Sequence, residues 1–313
     1  MSTEPQPQAA TTDSPSSVPA SPSPGSAPGS AGHVDLVEKY FDDNAQDWSE
    51  LYGKAKRVND LVLAARRDAA VAQLDKHTAP GSRLLDAGCG AGLTALELVR
   101  RGHTVDLIDV SSQMLGYAQK NLEDANVPEE RYRLLRGDPA TSEELQRESY
   151  DGIAALGFLQ YQKDEGVLLR RMHDLLRPDG TLVITGPTKT RLADWFGFSK
   201  VYAKAQRKLA RKKPQRTFTD EEIAKAREAA ESRKLLHTIS AHAYSFGRFR
   251  ELLEKANFEV VDQRGHGFVN FAIIGPKLGF KGELFLHRFF TGASKVLPIS
   301  RFANDLIVVA RKR

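Results

Sequence analysis

The stretch Leu84-Leu85-Asp86-Ala87-Gly88-Cys89-Gly90-Ala91-Gly92 constrains this chain more than any other. An apolar run ends in an acid, enters a Gly-x-Gly-x-Gly turn, and continues as an amphipathic segment from Leu93 to Arg101. Glycine allows the tight turn and lets the backbone approach a ligand where a Cβ would stand in the way. Strand, glycine turn and helix in that order open a βαβ unit. Asp86 falls at the strand's carboxyl end, where open α/β sheets form their ligand cleft. The next apolar run, Thr104-Val105-Asp106-Leu107-Ile108-Asp109, again ends in an acid.

Spacing separates two uses of such a turn. A dinucleotide fingerprint places Gly or Ala three residues after its second Gly, with a pyrophosphate at the helix N-terminus. Here that place is Leu93, and the third glycine comes one residue early, at Gly92. An acid just before the glycines is unfavourable beside a pyrophosphate but suits a cationic ligand that carries an amino acid. The pattern resembles motif I of the class I S-adenosylmethionine (SAM) methyltransferases. The resemblance continues through Asp109, Gly137-Asp138 and Leu176-Arg177-Pro178-Asp179-Gly180-Thr181, covering residues 80–187 well and the remainder loosely.

That resemblance implies SAM as cofactor and assigns residues to it. Gly88, Gly90 and Gly92 would pass the backbone close to the methionyl moiety. Asp86 would receive the ammonium, directly or through water, and Asp109 would accept from both ribose hydroxyls. Met114 would supply apolar contact to adenine. Asp138 would accept from the adenine amine, with the backbone amide that follows, at Pro139, near the ring edge. Gly157 would close the cofactor site where strand four ends at the transfer centre.

Strand and helix signals alternate over Arg83–Ala87, Leu93–Arg101, Val105–Asp109, Ser112–Asn126, Tyr132–Arg136, Tyr150–Leu156, Gly166–Leu176 and Thr181–Thr185. Such alternation means βαβ units and a parallel sheet. The expected fold is α/β: a doubly wound, seven-stranded, mostly parallel sheet. Phe258–Asp262 and Leu306–Ala310 are strands six and seven, an antiparallel pair in the resembled fold. A helical, charged insertion (188–243) follows strand five, and an apolar segment (266–303) separates strands six and seven. Two helices, Val34–Tyr52 and Val58–Lys76, precede strand one. Residues 1–32 are nearly all Pro, Ser, Ala, Thr and Gly and cannot offset chain entropy by burial, so a disordered tail is expected there, with the folded domain over 33–313.

The lone cysteine, Cys89, excludes an internal disulfide, suits a reducing cytoplasm, and reads as a packing residue within the turn. No run of about 20 apolar residues occurs, so no transmembrane helix is expected. No cluster of His, Cys and Asp has metal-ligand spacing.

Strand four ends in Gly157-Phe158-Leu159-Gln160-Tyr161, not the Asn/Asp-Pro-Pro-Tyr/Phe run of amino-base methyltransferases, which argues against base methylation. The run Tyr40-Phe41-Asp42…Trp48…Tyr52-Gly53 resembles the N-terminal helix of the ubiquinone and magnesium-protoporphyrin methyltransferases. In the porphyrin group a Tyr near Tyr52 and a His near Gln160 serve the reaction, and Gln160 cannot act as a base. His237, His242, Tyr244 and His266 are the remaining base candidates; His242 and His266 rank first because their loops face the sheet's carboxyl ends in this fold. His titrates nearest neutrality. Tyr161 is a candidate to orient the acceptor.

The expected activity is methyl transfer to oxygen or carbon of a hydrophobic small molecule of quinone, isoprenoid, lipid or polyketide kind. Its rivals are an RNA or protein methyltransferase and a SAM-fold binding protein without catalysis. Lys189–Arg216 carries ten Lys/Arg and a single acid beside Trp195, Phe196, Phe198 and Tyr202, a composition that can seat on an anionic membrane surface. Without an aromatic-interleaved motif, nucleic acid is not the expected partner. The apolar segment would form an acceptor lid, or else a homodimer interface.

Overall fold

The computed structural model describes residues 31–51, 57–191, 220–239, 242–269, 275–294 and 297–313. Three helices, α1 (Ala31–Asp43), α2 (Ala45–Leu51) and α3 (Val58–His77), lead into β1 (Arg83–Ala87). There follow α4 (Leu93–Arg100), β2 (Thr104–Asp109), α5 (Ser112–Asp124), β3 (Tyr132–Arg136), β4 (Tyr150–Ala155), α6 (Glu165–Leu175) and β5 (Leu176–Pro187). The chain continues through α7 (Asp220–Ile239), α8 (Phe246–Lys255), β6 (Phe258–His266), α9 (Gly275–Ala293) and β7 (Asp305–Lys312).

The seven strands form one sheet in the order β3-β2-β1-β4-β5-β7-β6. β1 to β5 run parallel, and β7 lies antiparallel between β5 and β6. Side chains alternate across the strands. Leu84, Val105, Leu107, Val183 and Ile307 pack under α3, α4 and α5. Leu85, Ile108, Ile153, Ile184 and Val308 pack under α6 and α8. With both faces covered, the strands read as continuous apolar runs, which is why they were visible in the sequence.

Local sequence explains the departures from expectation. The single helix expected over Val34–Tyr52 breaks at Asn44, whose side-chain amide donates to the Tyr40 carbonyl at 2.7 Å and competes with helix continuation. α1 begins at Ala31, two residues inside the stretch expected to be tail. β6 runs on to His266 because it pairs with β7 along its whole length. The remaining tail (1–30), Tyr52, Gly53, Phe271, Ile273, Ile274 and residues 192–216 of the basic stretch lie outside the described residues. Of the charged insertion, α7 packs Leu235, Leu236 and Ile239 against Val37, Tyr40 and Phe41 of α1.

The strand order reverses between β1 and β4. Right-handed crossovers send the chain to opposite faces on either side of this point, leaving a crevice above it.

Candidate active site

A cavity occupies that crevice and encloses about 1160 Å³, counting its mouth open to solvent. Its floor is made by residues at and just beyond the strand ends: Asp86 of β1 and Gly88–Ala91 after it, Asp109 of β2 and Val110 after it, Pro139 after β3, and Leu156–Phe158 with Gln160 and Tyr161 after β4. α1 and α2 contribute Val37, Phe41 and Trp48, and α3 contributes Leu63, Arg66 and Arg67.

The glycine turn is built for close approach. Gly88 sits at φ +68°, and a Cβ on it would meet the Phe158 ring at 2.5 Å. Its amide and that of Cys89 donate to the Ile108 carbonyl at 2.9 and 3.1 Å, clamping the turn onto β2. Gly92 serves differently. It caps α4 at φ +73°, and a Cβ there would lie 2.8 Å from that of Ala118. Gly92 is not among the residues that line the cavity, and the nearness of Ala118 makes its glycine a requirement of helix packing. Cys89 is buried, and burial pushes its thiol well above the usual range, as befits a packing residue.

Two buried carboxyls face the cavity. Asp86 is 2 % exposed and accepts from the Ala95 amide in the first turn of α4 at 3.2 Å. Burial pushes it up to about 7, with the nearby Asp109 charge adding to the rise and the Ala95 amide opposing it. Asp109 accepts from the Gly90 amide at 2.8 Å and the Ser111 amide at 3.0 Å; burial raises it too, and those amides hold the rise in check. Carboxyls held this dry fit a cationic ligand with a diol, which would bring a cation to Asp86 and hydroxyl donors to Asp109. Arg66 and Arg67 bring positive charge to the same space. Arg66 pairs with Asp305 at 3.3 Å, and Arg67 with Asp68 at 2.7 Å.

Met114 is buried and lines the cavity from α5. Pro139 also lines it, but proline carries no N–H, so it offers apolar contact and not the amide expected after Asp138. Asp138 is half-buried, accepts from the Ala140 amide at 2.9 Å, and is not part of the lining. Gly157 and Tyr161 line the β4 side. The Tyr161 ring packs edge-on against Phe41 with centroids 5.2 Å apart, and its carbonyl accepts from the His33 ring at 2.8 Å.

Neither leading histidine lines the cavity. His242 stands 3.5 Å from the Glu165 carboxylate. The His266 ring donates to the Val62 carbonyl at 3.1 Å, and burial lowers its basicity. His237 is exposed on α7, and Tyr244 is buried in a stack on Phe249. Burial and the Glu165 carboxylate push the Tyr244 phenol far above its ordinary range. Of the apolar segment read as a lid, no described residue of 266–303 lines the cavity. Leu284 packs with Val58 and Val62 of α3, and Leu286 and Phe290 pack with Phe268 and Ala303.

The roof comes from α1 instead. Asp42 accepts from the Ser111 hydroxyl at 2.5 Å and the Gln113 amide at 3.2 Å, and Glu38 pairs with Arg136 at 2.6 Å. These tie α1 across the ends of β2 and β3. In the sequence Phe41 and Trp48 stand out through the resemblance of their segment to the family's N-terminal helix, whereas Val37, Leu63, Arg66 and Arg67 do not. The adjacent arginines, amid the apolar positions of a helix directly before β1, were the available signal.

A family model described as a methyltransferase domain matches residues 85–184, from the glycine turn through β5. The chain is 30% identical over 186 residues to the magnesium-protoporphyrin O-methyltransferase of Rhodobacter capsulatus, a match covering 55% of this chain and 77% of that one. The chain belongs to the SAM-dependent methyltransferases. It is also 32% identical over 182 residues to the ubiquinone biosynthesis O-methyltransferase of Nitrobacter winogradskyi, covering 55% of this chain and 66% of that protein, about two thirds of its length. The methyltransferase fold extends further than the sequence match. The crystal structure of magnesium protoporphyrin IX methyltransferase from Synechocystis PCC 6803 with bound SAH superposes with a TM-score of 0.56 at 17% identity, covering 89% of this chain and 99% of that one.

Proposed function

We propose that this methyltransferase moves the SAM methyl group to an oxygen or carbon of a hydrophobic, ring-bearing small molecule of quinone or porphyrin type. The observation that carries the reading is the division of the cavity. Its carboxyls and glycine turn gather at the β1 and β2 ends, while Val37, Phe41, Trp48, Leu63, Leu156 and Phe158 supply an apolar wall. The names of the relatives agree with an acceptor of this kind: one acts in ubiquinone biosynthesis and the other on magnesium-protoporphyrin.

SAM, when bound, supplies a methyl carbon already activated by its sulfonium. The chain's task is then to align the acceptor and exclude water. In this reading Asp86 takes the ammonium, Asp109 the ribose diol, Arg66 or Arg67 the methionyl carboxylate, and Met114 with Pro139 the adenine face. Gly157 lets the acceptor approach from β4, and Tyr161, fixed by Phe41 and His33, orients it. With both histidines outside the lining, catalysis rests on positioning of an acceptor that is ionised or otherwise nucleophilic on arrival.

The test is incubation with SAM labelled in its methyl group and fractionated cell extract. Label is expected in the organic-soluble small-molecule fraction. Label in RNA or protein would overturn the acceptor class, and SAM binding without transfer to any fraction would overturn the enzyme reading.

A further inference from the structure

α9 carries two apolar faces, and among the described residues only one of them has a partner. Leu284, Leu286 and Phe290 turn inward to α3 and the segment before β7. The His287 ring also turns inward and accepts from the Phe268 amide at 3.3 Å. On the opposite side Phe285 is 68% exposed and Phe289 58%, and Leu297, just past the end of the helix, is 53% exposed. Lys281, Phe285, Arg288, Phe289 and Gly292 are all exposed and share one side of the helix, an arc of ~100° at helical spacing. An apolar patch of this kind on a soluble surface marks a contact site.

The charges around the patch decide what would cover it. Lys281 and Arg288 lie along one edge of the Phe285–Phe289 stripe, and Arg301 is exposed just beyond Leu297. The only acid on α9, Glu283, sits on the inward side and is half-buried. A second copy of this surface would set like charges against one another. An anionic bilayer meets both demands at once: its headgroups pair with the cations, and the acyl boundary accepts the phenyl rings.

We propose that the outer face of α9, through Phe285 and Phe289 with Lys281 and Arg288, docks this protein on anionic lipid surfaces. The inward face of the same helix touches α3 through Leu284, and α3 lines the cavity with Leu63, Arg66 and Arg67. Docking here would therefore hold the α3 wall of the cavity one helix away from a bilayer into which a hydrophobic acceptor would partition. The surface itself does not depend on which acceptor is used.

The experiment sediments the full-length protein with vesicles of equal parts phosphatidylglycerol and phosphatidylcholine, and with phosphatidylcholine alone. Expected is a partition at least tenfold higher on the anionic vesicles. Phe285→Glu/Phe289→Glu should lower that partition at least tenfold while SAH affinity, measured by calorimetry, stays unchanged. Lys281→Gln/Arg288→Gln, which leaves the rings in place, should lower it several-fold on anionic vesicles only. The proposal is overturned if the wild type binds neither vesicle, or if the double glutamate variant, still binding SAH, keeps its vesicle affinity. It is also overturned if the same substitutions convert a dimer to a monomer in light scattering without changing vesicle binding. Loss of SAH binding in the wild type would refute the cofactor site and leave the vesicle result to stand by itself.

Discussion

Replacing Asp86 by Asn should stabilise the ligand-free protein and weaken SAM binding, with both effects set by pH. Burial lifts the Asp86 carboxyl from 3.8 to about 7. The folded form thus holds a proton that the unfolded chain releases, and Asp86 lowers stability progressively as pH rises from about 4 to about 7. Three pH units correspond to about 4 kcal/mol, the most the charge can cost above pH 7. Asn keeps an oxygen for the Ala95 amide and carries no charge. The stability gap between variant and wild type should therefore be near zero at pH 4 and approach that ceiling by pH 8. Urea titrations of the two proteins without ligand, across that range, measure it. In calorimetry the wild type should bind SAM more tightly as pH rises towards 7, releasing a proton as the ammonium arrives. The variant should lose about 1.5–3 kcal/mol of affinity near neutrality, the worth of a charged hydrogen bond, and show no such pH dependence. Equal stability profiles together with equal affinities would refute the argument that a dry carboxylate waits there for a cation.

Asp109→Ala should weaken SAM binding by roughly 1.5–3 kcal/mol in a folded protein, and unchanged affinity in calorimetry would remove it from the site. Gly92→Ala, which sets a Cβ against Ala118 in a left-handed conformation, should cost ~1–3 kcal/mol of stability by urea unfolding and leave SAM affinity intact. His242→Ala and His266→Ala should each keep turnover within about threefold, whereas a loss of ~10²-fold in either would place that histidine on the proton path. Asp42→Ala removes the ties to Ser111 and Gln113; hydrogen exchange across α1 should then quicken by about tenfold, as expected for ~1.4 kcal/mol of lost hydrogen bonding.

The parts of this molecule that were legible in the sequence are those fixed by local chemistry. β1 and its turn announce themselves because Gly88 needs a positive φ and Asp86 must end a strand. The parallel strands read as apolar runs because both faces are covered. What escaped was set by tertiary docking. Arg66 and Arg67 look like any helical arginines until α3 is laid against the crevice, and only then does their face become the cavity wall. The histidines were ranked by loop position, yet a loop residue's direction depends on its neighbours: Glu165 faces His242, and the α3 carbonyl of Val62 takes the His266 ring. The apolar 266–303 segment had enough hydrophobicity for a lid, but composition does not say which side of the sheet edge it will cover.

The place of β7 bears on how the chain is made. β5 is synthesised, then β6, and only afterwards the strand that must lie between them. While residues 267–304 emerge, β5 keeps an open edge and β6 has no neighbour to pair with. At ~5–20 residues per second this window lasts roughly 2–8 s on the ribosome, with two strand edges free to pair elsewhere. Nascent chains of this protein would thus pass through their most aggregation-prone state late in translation, after the ligand crevice has its strands and before the sheet is closed.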